Sequence, residues 1–536
     1  MIVILLCFLS LLAQGTEKKP WTLLFYVAGD ESQIDKYSRL PIRKLEQVGS
    51  SSDKWIVAHV DLHVDEYGEE VIEEPPVRYE VAHRPGPVDT ADYQTLKIES
   101  PVVWRGDRER NSGDPSELGD FLAWGMKNYP AQHYALFLLG HSWGWRGLME
   151  DDRPGFALPE GPAGREFTLM PLEGVEQALA QGLGGRKLDL VVMDSCHGGV
   201  LEVLYSFKNY AQYFLAAATE MTMNSYDYQT WVAKSWSDLP SVLKAAGQEF
   251  LKDYARGGKY VEPTGDHSAI NLFAVDLEKM EPVWRFLQTM PSMGNFAQVF
   301  LGEENHRHQD EFGNLDLFEF LAEVKSKSYS PSLRIQAQEL IKTLGIQNDA
   351  PDSVFRELTV PPGATQFRLW LQGDELIPSD LAVGITRDEL EYYNPSLKEI
   401  QGAKIQMYQN YGQRFFRVDS GAVQSGTIAL RPFVAGGTWA RVEWLDRAGR
   451  VVEEVPFSAP VTFSFQKQFP PESPFVFSGH TFGAGRNRGP AVQIQSVLDR
   501  DLGANYAWLE GRWVFGNVFY KTTPFSKFTH WGDLIF

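Results

Sequence analysis

The sequence predicts an α/β protein with a mainly parallel sheet flanked by helices, followed by a C-terminal all-β domain. Over the first 350 residues, strand-like segments that are apolar throughout alternate with amphipathic helical segments. This pattern is typical of parallel sheets that are covered on both faces. After about residue 350 the hydrophobic period becomes two, and Gly, Pro and Asp turns separate the segments. A period of two between such turns predicts antiparallel strands.

The elements of the first domain follow from these patterns. Helices are expected from Asp114 to Tyr129, around 200–207, and over 277–290 and 313–345. At the first of these, Asp114 is predicted to cap the helix, Pro115 suits its first turn, and Glu117 completes a capping-box pattern. The charged stretch 64–110 is compatible with a hairpin excursion. The strands of the sheet are predicted at 21–30, 54–63, 133–140, 188–194, 213–219 and 268–275.

The second half of the chain is predicted to form a β-sandwich over residues 355–470. The segment 365–371 ("TQFRLWL") alternates between apolar and polar residues, and "TIALRPF", "RVEWLD" and "VTFSF" continue the pattern. Residues 471–536 are rich in Gly, Pro and aromatic side chains. The sequence leaves the role of this last segment open.

Composition limits the partners and the location of the protein. The chain has 536 residues, too many for one ordinary domain, and a net charge of -20, which disfavours nucleic acid and anionic membranes as partners. Residues 1–15 are predicted to be a signal peptide because an apolar run too short to span a bilayer precedes small residues. The run lacks a preceding Lys or Arg, so a buried first strand is the alternative. No later segment has the length and apolarity of a membrane span, and a secreted, periplasmic or cell-surface protein is expected.

One cysteine would remain after removal of the signal peptide. The chain has two cysteines, and Cys7 lies within residues 1–15, which leaves Cys196. A single thiol cannot form an internal disulfide, so Cys196 is either buried and inert or kept for its reactivity.

The position of Cys196 favours reactivity. The predicted strand 133–140 runs into His141, and the strand 188–194 runs into Cys196. If these strands are neighbours in a parallel sheet, an imidazole and a thiol meet at its carboxyl edge. We expect Cys196 to open a helix that favours a thiolate, and the two following glycines to let a bound peptide approach. His197 is a second choice for the histidine, because sequence neighbours on a helix do not face each other.

Three motifs resemble the clostripain family of cysteine peptidases, from the clan of caspases, legumains and gingipains. They are "WTLLFYVAGDE", "GDPSELGDFLAWGMKNYPAQHYALFLLGHSWGW" and "LDLVVMDSCHGGVLEV", and the resemblance extends over about residues 20–325 and includes "DLFEF" at 316–320. It implies a caspase-like α/β sandwich, which we assign to residues 20–350.

The resemblance also implies roles for individual residues. Cys196 is expected to be the nucleophile and His141 the general acid/base, with the backbone amides of Ser142 and Cys196 holding the oxyanion. Asp194 is expected to bind the substrate side chain before the scissile bond, which would be Arg or Lys; a helix cap or loop anchor is the alternative for Asp194. The substrates would be proteins or peptides, and the β-domain would bind substrate or a surface.

Several departures from the family keep alternatives open. Ser142 replaces the usual Gly, "CHGG" replaces an apolar pair and resembles metacaspases, and "SYDY" (225–228) stands where Gly-Trp-x-Tyr is usual. A metacaspase-like or legumain-like peptidase, or an inactive binding or adhesion protein on the same scaffold, is therefore an alternative.

Processing and cofactors are less marked in the sequence. Within the Gly- and Pro-rich loop 150–167, Arg165 is the candidate for self-cleavage, and an uncut variable loop is the alternative. No cofactor is expected to be required, although calcium is compatible because some relatives use it. No metal site is predicted, since "HRHQDE" (306–311) is explained more simply as a solvated polar loop.

Overall fold

The computed structural model describes most of the first 345 residues and parts of the remainder. The described ranges are 18–30, 34–62, 64–66, 69–72, 75–86, 88, 96–151, 168–219, 221, 226–255, 270–290, 314–345, 356–373, 404–410, 413–419, 427–430, 439–458, 463–466, 468–481, 490–493 and 523–529.

The strands of the first 290 residues are β1 (Lys19–Gly29), β2 (Lys54–Leu62), β3 (Val64–Glu66), β4 (Glu69–Ile72), β5 (Val77–Glu80), β6 (Val102–Arg105), β7 (Ala131–Leu139), β8 (Leu148–Asp151), β9 (Thr168–Met170), β10 (Leu188–Asp194), β11 (Ala211–Ala216) and β12 (Asn271–Asp276). The later strands are β13 (Asn314–Asp316), β14 (Arg356–Thr359), β15 (Gln366–Gly373), β16 (Lys404–Asn410), β17 (Gln413–Asp419), β18 (Thr427–Leu430), β19 (Trp439–Leu445), β20 (Val451–Ser458), β21 (Phe463–Phe465), β22 (Phe475–Thr481) and β23 (Ala491–Gln493).

The helices are α1 (Asp35–Leu45), α2 (Pro115–Asn128), α3 (Leu172–Leu183), α4 (Leu201–Phe207), α5 (Tyr228–Val232), α6 (Leu239–Ala255), α7 (Glu281–Gln288), α8 (Leu317–Lys327), α9 (Pro331–Leu344) and α10 (Pro524–Thr529). Short 3-10 turns cover Gly144–Arg146 and Leu277–Met280. No helix within the described ranges is both long enough and apolar enough to cross a membrane.

A large central sheet organises the described part of the chain. Its order is β21-β22-β12-β11-β10-β7-β1-β2-β5-β6. The five strands from β2 to β11 are parallel, and antiparallel strands extend the sheet on both sides. The predicted α/β class with a mainly parallel sheet flanked by helices is confirmed.

The parallel strands are apolar on both faces because both faces are covered. In β1, Leu24 and Tyr26 belong to the core on one side of the sheet, and Leu23 and Phe25 belong to the core on the other side. All four side chains are buried. Such strands show no polar alternation, which is the reason that continuous apolar runs predicted them.

The start of α2 follows the sequence prediction only in part. The Asp114 side chain accepts a hydrogen bond from Ser116 N at 2.8 Å and caps the helix. Glu117 does not complete a capping box; its carboxylate accepts a hydrogen bond from Arg110 Nη1 at 2.8 Å. The basic side chain attracts the carboxylate away from the helix end.

The predicted helix over 313–345 is interrupted twice. Residues 314–316 form β13, which pairs with β23, and Asp316 then caps α8 by accepting from Phe318 N at 2.9 Å. Between α8 and α9, Ser328 is extended and Pro331 opens the new helix. The residue before a proline and its neighbours disfavour continued helix, which explains the second break.

Part of the C-terminal sequence belongs to the central sheet. The strand β22 pairs antiparallel with β12, and β21 covers β22 at the edge. The segment "VTFSF", which the alternation assigned to the β-domain, supplies β21. The helix α10 packs on α4 through Phe525 and Tyr205, whose ring centroids lie 5.9 Å apart. The described parts of 471–536, whose role the sequence left open, therefore extend the central sheet and pack on its helices.

The remaining β-strands form separate sheets. A five-stranded antiparallel sheet has the order β16-β17-β15-β19-β20, and β14 pairs with β18. The period of two thus predicted antiparallel strands correctly. The sandwich arrangement and the domain limits stay predictions.

Candidate active site

The strands β7 and β10 bring the predicted nucleophile and the predicted base to one edge of the sheet. The two strands are parallel neighbours, and Leu139 pairs with Asp194 at their carboxyl ends. Gly140 N donates a hydrogen bond to Asp194 O at 3.4 Å, which extends the pairing by one step. His141 and Cys196 each follow two residues after this last pair. Neighbouring strands lie about 4.8 Å apart, so the two residues leave the sheet side by side.

A tight hairpin carries His141. Ser142 and Leu148 are bridge partners, and Trp143 N donates to Gly147 O at 3.0 Å. Glu150 N donates to His141 O at 3.2 Å. These bonds fix the backbone around His141, whose side chain is half-buried.

The Ser142 amide points away from this hairpin ladder. The hydrogen bonds of the hairpin lie on either side of the Ser142–Leu148 bridge. Ser142 and Leu148 are therefore a non-hydrogen-bonded pair of this antiparallel ladder. Ser142 is 3% exposed, and within the described ranges its N–H donates to no acceptor. Ser142 also avoids left-handed φ values, so the exchange of the family's Gly for Ser produces no backbone strain here.

The His141 hairpin packs directly on the turn that carries Cys196. Gly144 has a φ of +60°, and a Cβ built on it would lie 3.3 Å from Val200 Cγ2 and 3.4 Å from His197 Cβ. Only glycine therefore fits between the two loops without displacement, and their contact holds the edges of the site together.

Cys196 does not open a helix, contrary to the sequence prediction. Residues 195–199 form turns, and α4 begins at Leu201 with Val200 as its cap. His197 has a φ of +52°, a left-handed conformation that reverses the chain directly after Cys196. The helix N-terminus lies too far along the chain to act on the thiol as expected.

The two glycines after His197 fit internal packing rather than a bound peptide. A Cβ on Gly198 would lie 2.7 Å from Met193 Cβ. A Cβ on Gly199 would lie 2.7 Å from the backbone of Ala217 and Ala218. Internal packing therefore accounts for both glycines, and the expectation that they let a peptide approach stays a prediction.

Backbone groups of Met221 hold the thiol of Cys196. Met221 N donates to Sγ at 3.3 Å, and Sγ lies 3.5 Å from Met221 O. An N–H that points at sulfur favours negative charge there. Cys196 is partly buried.

His197 lies in an environment different from that of a catalytic histidine. Its side chain is 3% exposed, and its Nδ1 lies 3.3 Å from Ala218 O. Burial lowers the pKa of His197 to about 4, with a smaller lowering by Arg146, against the Ala218 carbonyl that raises it. The imidazole is thus neutral at pH 7 and fixed against the β11 segment.

Asp194 is the last residue of β10 and is partly buried. Burial raises the pKa of its carboxyl group to about 6. Tyr228 OH donates to Asp194 Oδ2 at 2.7 Å, and this bond together with the charge of Lys44 opposes the rise. The carboxylate is ionised at neutral pH and can interact with a cationic group that reaches it.

The sequence missed three features of the site region. Met221 gave no signal, because a backbone contact to sulfur depends on the fold alone. Tyr228, in the "SYDY" segment, was noted only as a departure from the family. A buried carboxylate cluster of Asp30, Asp61 and Glu109 was also missed, because its members come from three separate segments. Arg165 and the segment 306–311 lie outside the described residues.

The fold thus places a thiol and an imidazole at the carboxyl edge of an α/β sheet. The model of the clostripain family matches residues 26–358, more than half of the chain. The chain belongs to the clostripain family, and it is a cysteine peptidase.

The solved structures that the chain is similar to include two C11 proteases. An inactive zymogen C11 protease from Parabacteroides distasonis is 16% identical, with 61% of this chain and 82% of that chain covered and a TM-score of 0.44. A secreted C11 cysteine protease from Bacteroides thetaiotaomicron, in complex with an irreversible peptide inhibitor, is 15% identical, with 63% and 86% covered and a TM-score of 0.44. A search of curated proteins found no match.

Proposed function

We propose that the protein is a secreted endopeptidase that hydrolyses peptide bonds after Arg or Lys through a dyad of Cys196 and His141. The observation that carries the dyad is the register of β7 and β10, since both residues follow two positions after the Leu139–Asp194 pair. The contact of the two loops through Gly144 supports the same arrangement.

The chemistry is acyl transfer in two steps. The Cys196 thiolate attacks the carbonyl carbon, and the C–N bond breaks as His141 donates a proton to the leaving amine. A thioester remains on Cys196. His141 then takes a proton from water, the hydroxide attacks the thioester, and the carboxylate product leaves as the thiolate re-forms.

Backbone amides supply the oxyanion site in this proposal. The N–H of Ser142 points away from its own hairpin, and the N–H of Cys196 lies on the facing loop. Amides that are fixed before the reaction stabilise the tetrahedral oxyanion without reorganisation. The hairpin bonds around Ser142 supply this rigidity.

Preference for a basic side chain rests on Asp194. Asp194 lies two residues before the nucleophile and is partly buried, and the Tyr228 hydroxyl orients its carboxylate. Ion pairing with an arginine or lysine would recover part of the desolvation cost of both charges.

Export rests on the sequence of residues 1–15, which lie outside the described ranges. The apolar run and the small residues Ala13 and Gly15 support a cleaved signal peptide. The test is the N-terminus of the mature protein after expression in a bacterial host, measured by mass spectrometry.

Hydrolysis of an arginyl fluorogenic peptide tests the proposal. We expect turnover by the full chain, with calcium present and after nicking with trypsin, and a loss of at least about 10⁴-fold in kcat for Cys196→Ala and His141→Ala. His133→Ala is the matched control, because His133 lies at the opposite end of β7 and pairs with Asp189 at 2.7 Å.

Three outcomes would contradict the proposal in different ways. An absence of turnover in the wild type supports the inactive binding protein. Asn preference before the scissile bond indicates legumain-like chemistry. Full activity in His141→Ala would exclude that histidine from the mechanism and leave His197 as the candidate general acid/base.

A further inference from the structure

A cluster of carboxylates lies at the same sheet edge and takes no part in the proposed mechanism. Oxygens of Asp30, Asp61 and Glu109 lie within 4.8 Å of one another. Asp30 directly follows β1, and Asp61 lies near the carboxyl end of β2. Both side chains are 1% exposed, which is unusual for carboxylates.

One oxygen of Asp61 has no hydrogen-bond donor in the described part of the chain. This atom, Oδ1, is buried, whereas Oδ2 accepts from Ser112 Oγ at 2.8 Å. A buried carboxylate oxygen costs free energy unless a donor or a metal satisfies it. The Oδ1 atom is therefore an acceptor that the described protein groups leave unsatisfied.

The charges that act most strongly on Asp61 are all negative. Glu109, Asp151 and Asp30 are the charged groups with the largest effect on Asp61, in that order. Carboxylates held together in a protein interior need protons or a cation to offset their repulsion.

The surrounding bonds fix the cluster in place. Ser112 N donates to Asp151 Oδ2 at 2.6 Å, and Tyr26 OH donates to Ser112 O at 2.9 Å. Ser112 thus bonds Asp61 and Asp151 at once, and Tyr26 holds Ser112. A site with fixed ligands loses little conformational entropy when an ion binds.

We propose that Asp30, Asp61 and Glu109 bind a hard divalent cation, Ca²⁺ or Mg²⁺. The donor set consists of carboxylate oxygens without sulfur or imidazole, which selects these ions over zinc. Asp151 and Ser112 complete the surroundings of the ion.

The site has a structural connection to the His141 hairpin. Asp151 ends β8, the returning strand of that hairpin, and the adjacent Glu150 bonds His141 O. The bound cation would stabilise the base of the hairpin and with it the folded state. This effect does not depend on the chemistry of Cys196.

Thermal unfolding of the full chain tests the site, in a Cys196→Ala background so that self-cleavage plays no part. The protein is treated with EDTA and dialysed, and its Tm is measured alone, with 1 mM Ca²⁺ and with 1 mM Mg²⁺. We expect at least one ion to raise the Tm by about 4 °C or more. The relative size of the two shifts identifies the preferred ion.

A second measurement uses Tb³⁺, whose luminescence is sensitised by nearby aromatic side chains such as Tyr26. We expect Asp61→Asn to lower Tb³⁺ affinity at least about tenfold and to abolish the Tm shift. Without cations its Tm should equal or exceed that of the parent, because one repelling charge is removed. Glu109→Gln gives the same test if Asp61→Asn does not fold.

Asp107→Asn is the matched control, since Asp107 is exposed in the same loop and bonds Arg110 at 3.2 Å. This variant should keep both the Tm shift with Ca²⁺ or Mg²⁺ and the affinity for Tb³⁺. The proposal is overturned if neither ion moves the Tm, if Tb³⁺ gives no sensitised emission, or if Asp61→Asn and Glu109→Gln keep the responses of the parent. A cluster neutralised by protons alone would give the first of these results.

Discussion

Two carboxylate sites at the same sheet edge differ in what surrounds them. Asp194 is partly buried and has favourable partners, a hydroxyl donor in Tyr228 and a positive charge in Lys44. Asp61 is fully buried among other carboxylates. Burial raises the pKa of both, but the neighbours of Asp194 reduce that rise and those of Asp61 increase it.

The difference indicates two uses for negative charge. In the proposed function, Asp194 remains ionised in the empty enzyme and binds a cationic side chain that arrives with each substrate. The charged groups with the largest effect on Asp61 are carboxylates, so the proposed cation site suits an ion that stays bound. Three experiments can break or sharpen this distinction.

The largest expected effect comes from Asp194→Asn. We expect kcat/KM for an arginyl peptide to fall by about 100-fold, because the guanidinium of the substrate would bind at residue 194 without a counter-charge. The Tm shift with Ca²⁺ or Mg²⁺ should stay unchanged. If Asp194→Asn lost the Tm shift with cations but kept its activity on arginyl peptides, the result would assign cation binding to Asp194 and contradict its role in substrate binding.

A smaller effect is expected from pH. Since the pKa of Asp194 is raised to about 6, its carboxylate protonates as the pH falls through 6, and the ratio of kcat/KM for an arginyl peptide to that for its neutral citrulline analogue should fall about tenfold from pH 7 to pH 5. The ratio cancels the titration of Cys196 and His141, which both substrates share. A ratio that is constant with pH would remove Asp194 from substrate binding.

The smallest effect concerns stability. A raised pKa in the folded state means that ionised Asp194 destabilises the fold, and that this cost is absent at low pH and develops as the pH rises through about 6. Asp194→Asn should therefore raise the Tm by a few degrees at pH 8 and leave it unchanged at pH 4. A Tm lowered at pH 8 would indicate that the charge is fully compensated by Tyr228 and Lys44.

The sequence could predict the edge of the sheet to which both candidate catalytic residues come. Uninterrupted apolar runs predicted β7 and β10, and the residues directly after them gave His141 and Cys196. The pattern works because strands buried on both faces lack alternation and end where polar residues begin. Asp194, the last residue of β10, followed from the resemblance rather than from this pattern.

The sequence could not predict features that depend on distant segments. The predicted helix at Cys196 was wrong, because the chain turns at 195–199 and the helix begins at Leu201. Packing against Met193 and against Ala217 and Ala218 requires glycine at 198 and 199, which the local sequence does not reveal. The strand β22 joins the sheet about 200 residues after its partner β12. Asp30, Asp61 and Glu109 carry no motif, because three different segments bring them together.

Covalent labelling tests the central claim that Cys196 is the nucleophile of a site for basic side chains. The full chain is treated with an arginyl chloromethyl ketone, and the modified residue is mapped by peptide mass spectrometry. The account predicts a single label on Cys196, slower labelling by the norleucyl reagent, and none in Cys196→Ala. A label on His197 or elsewhere, or no label on a protein that hydrolyses arginyl peptides, would contradict it.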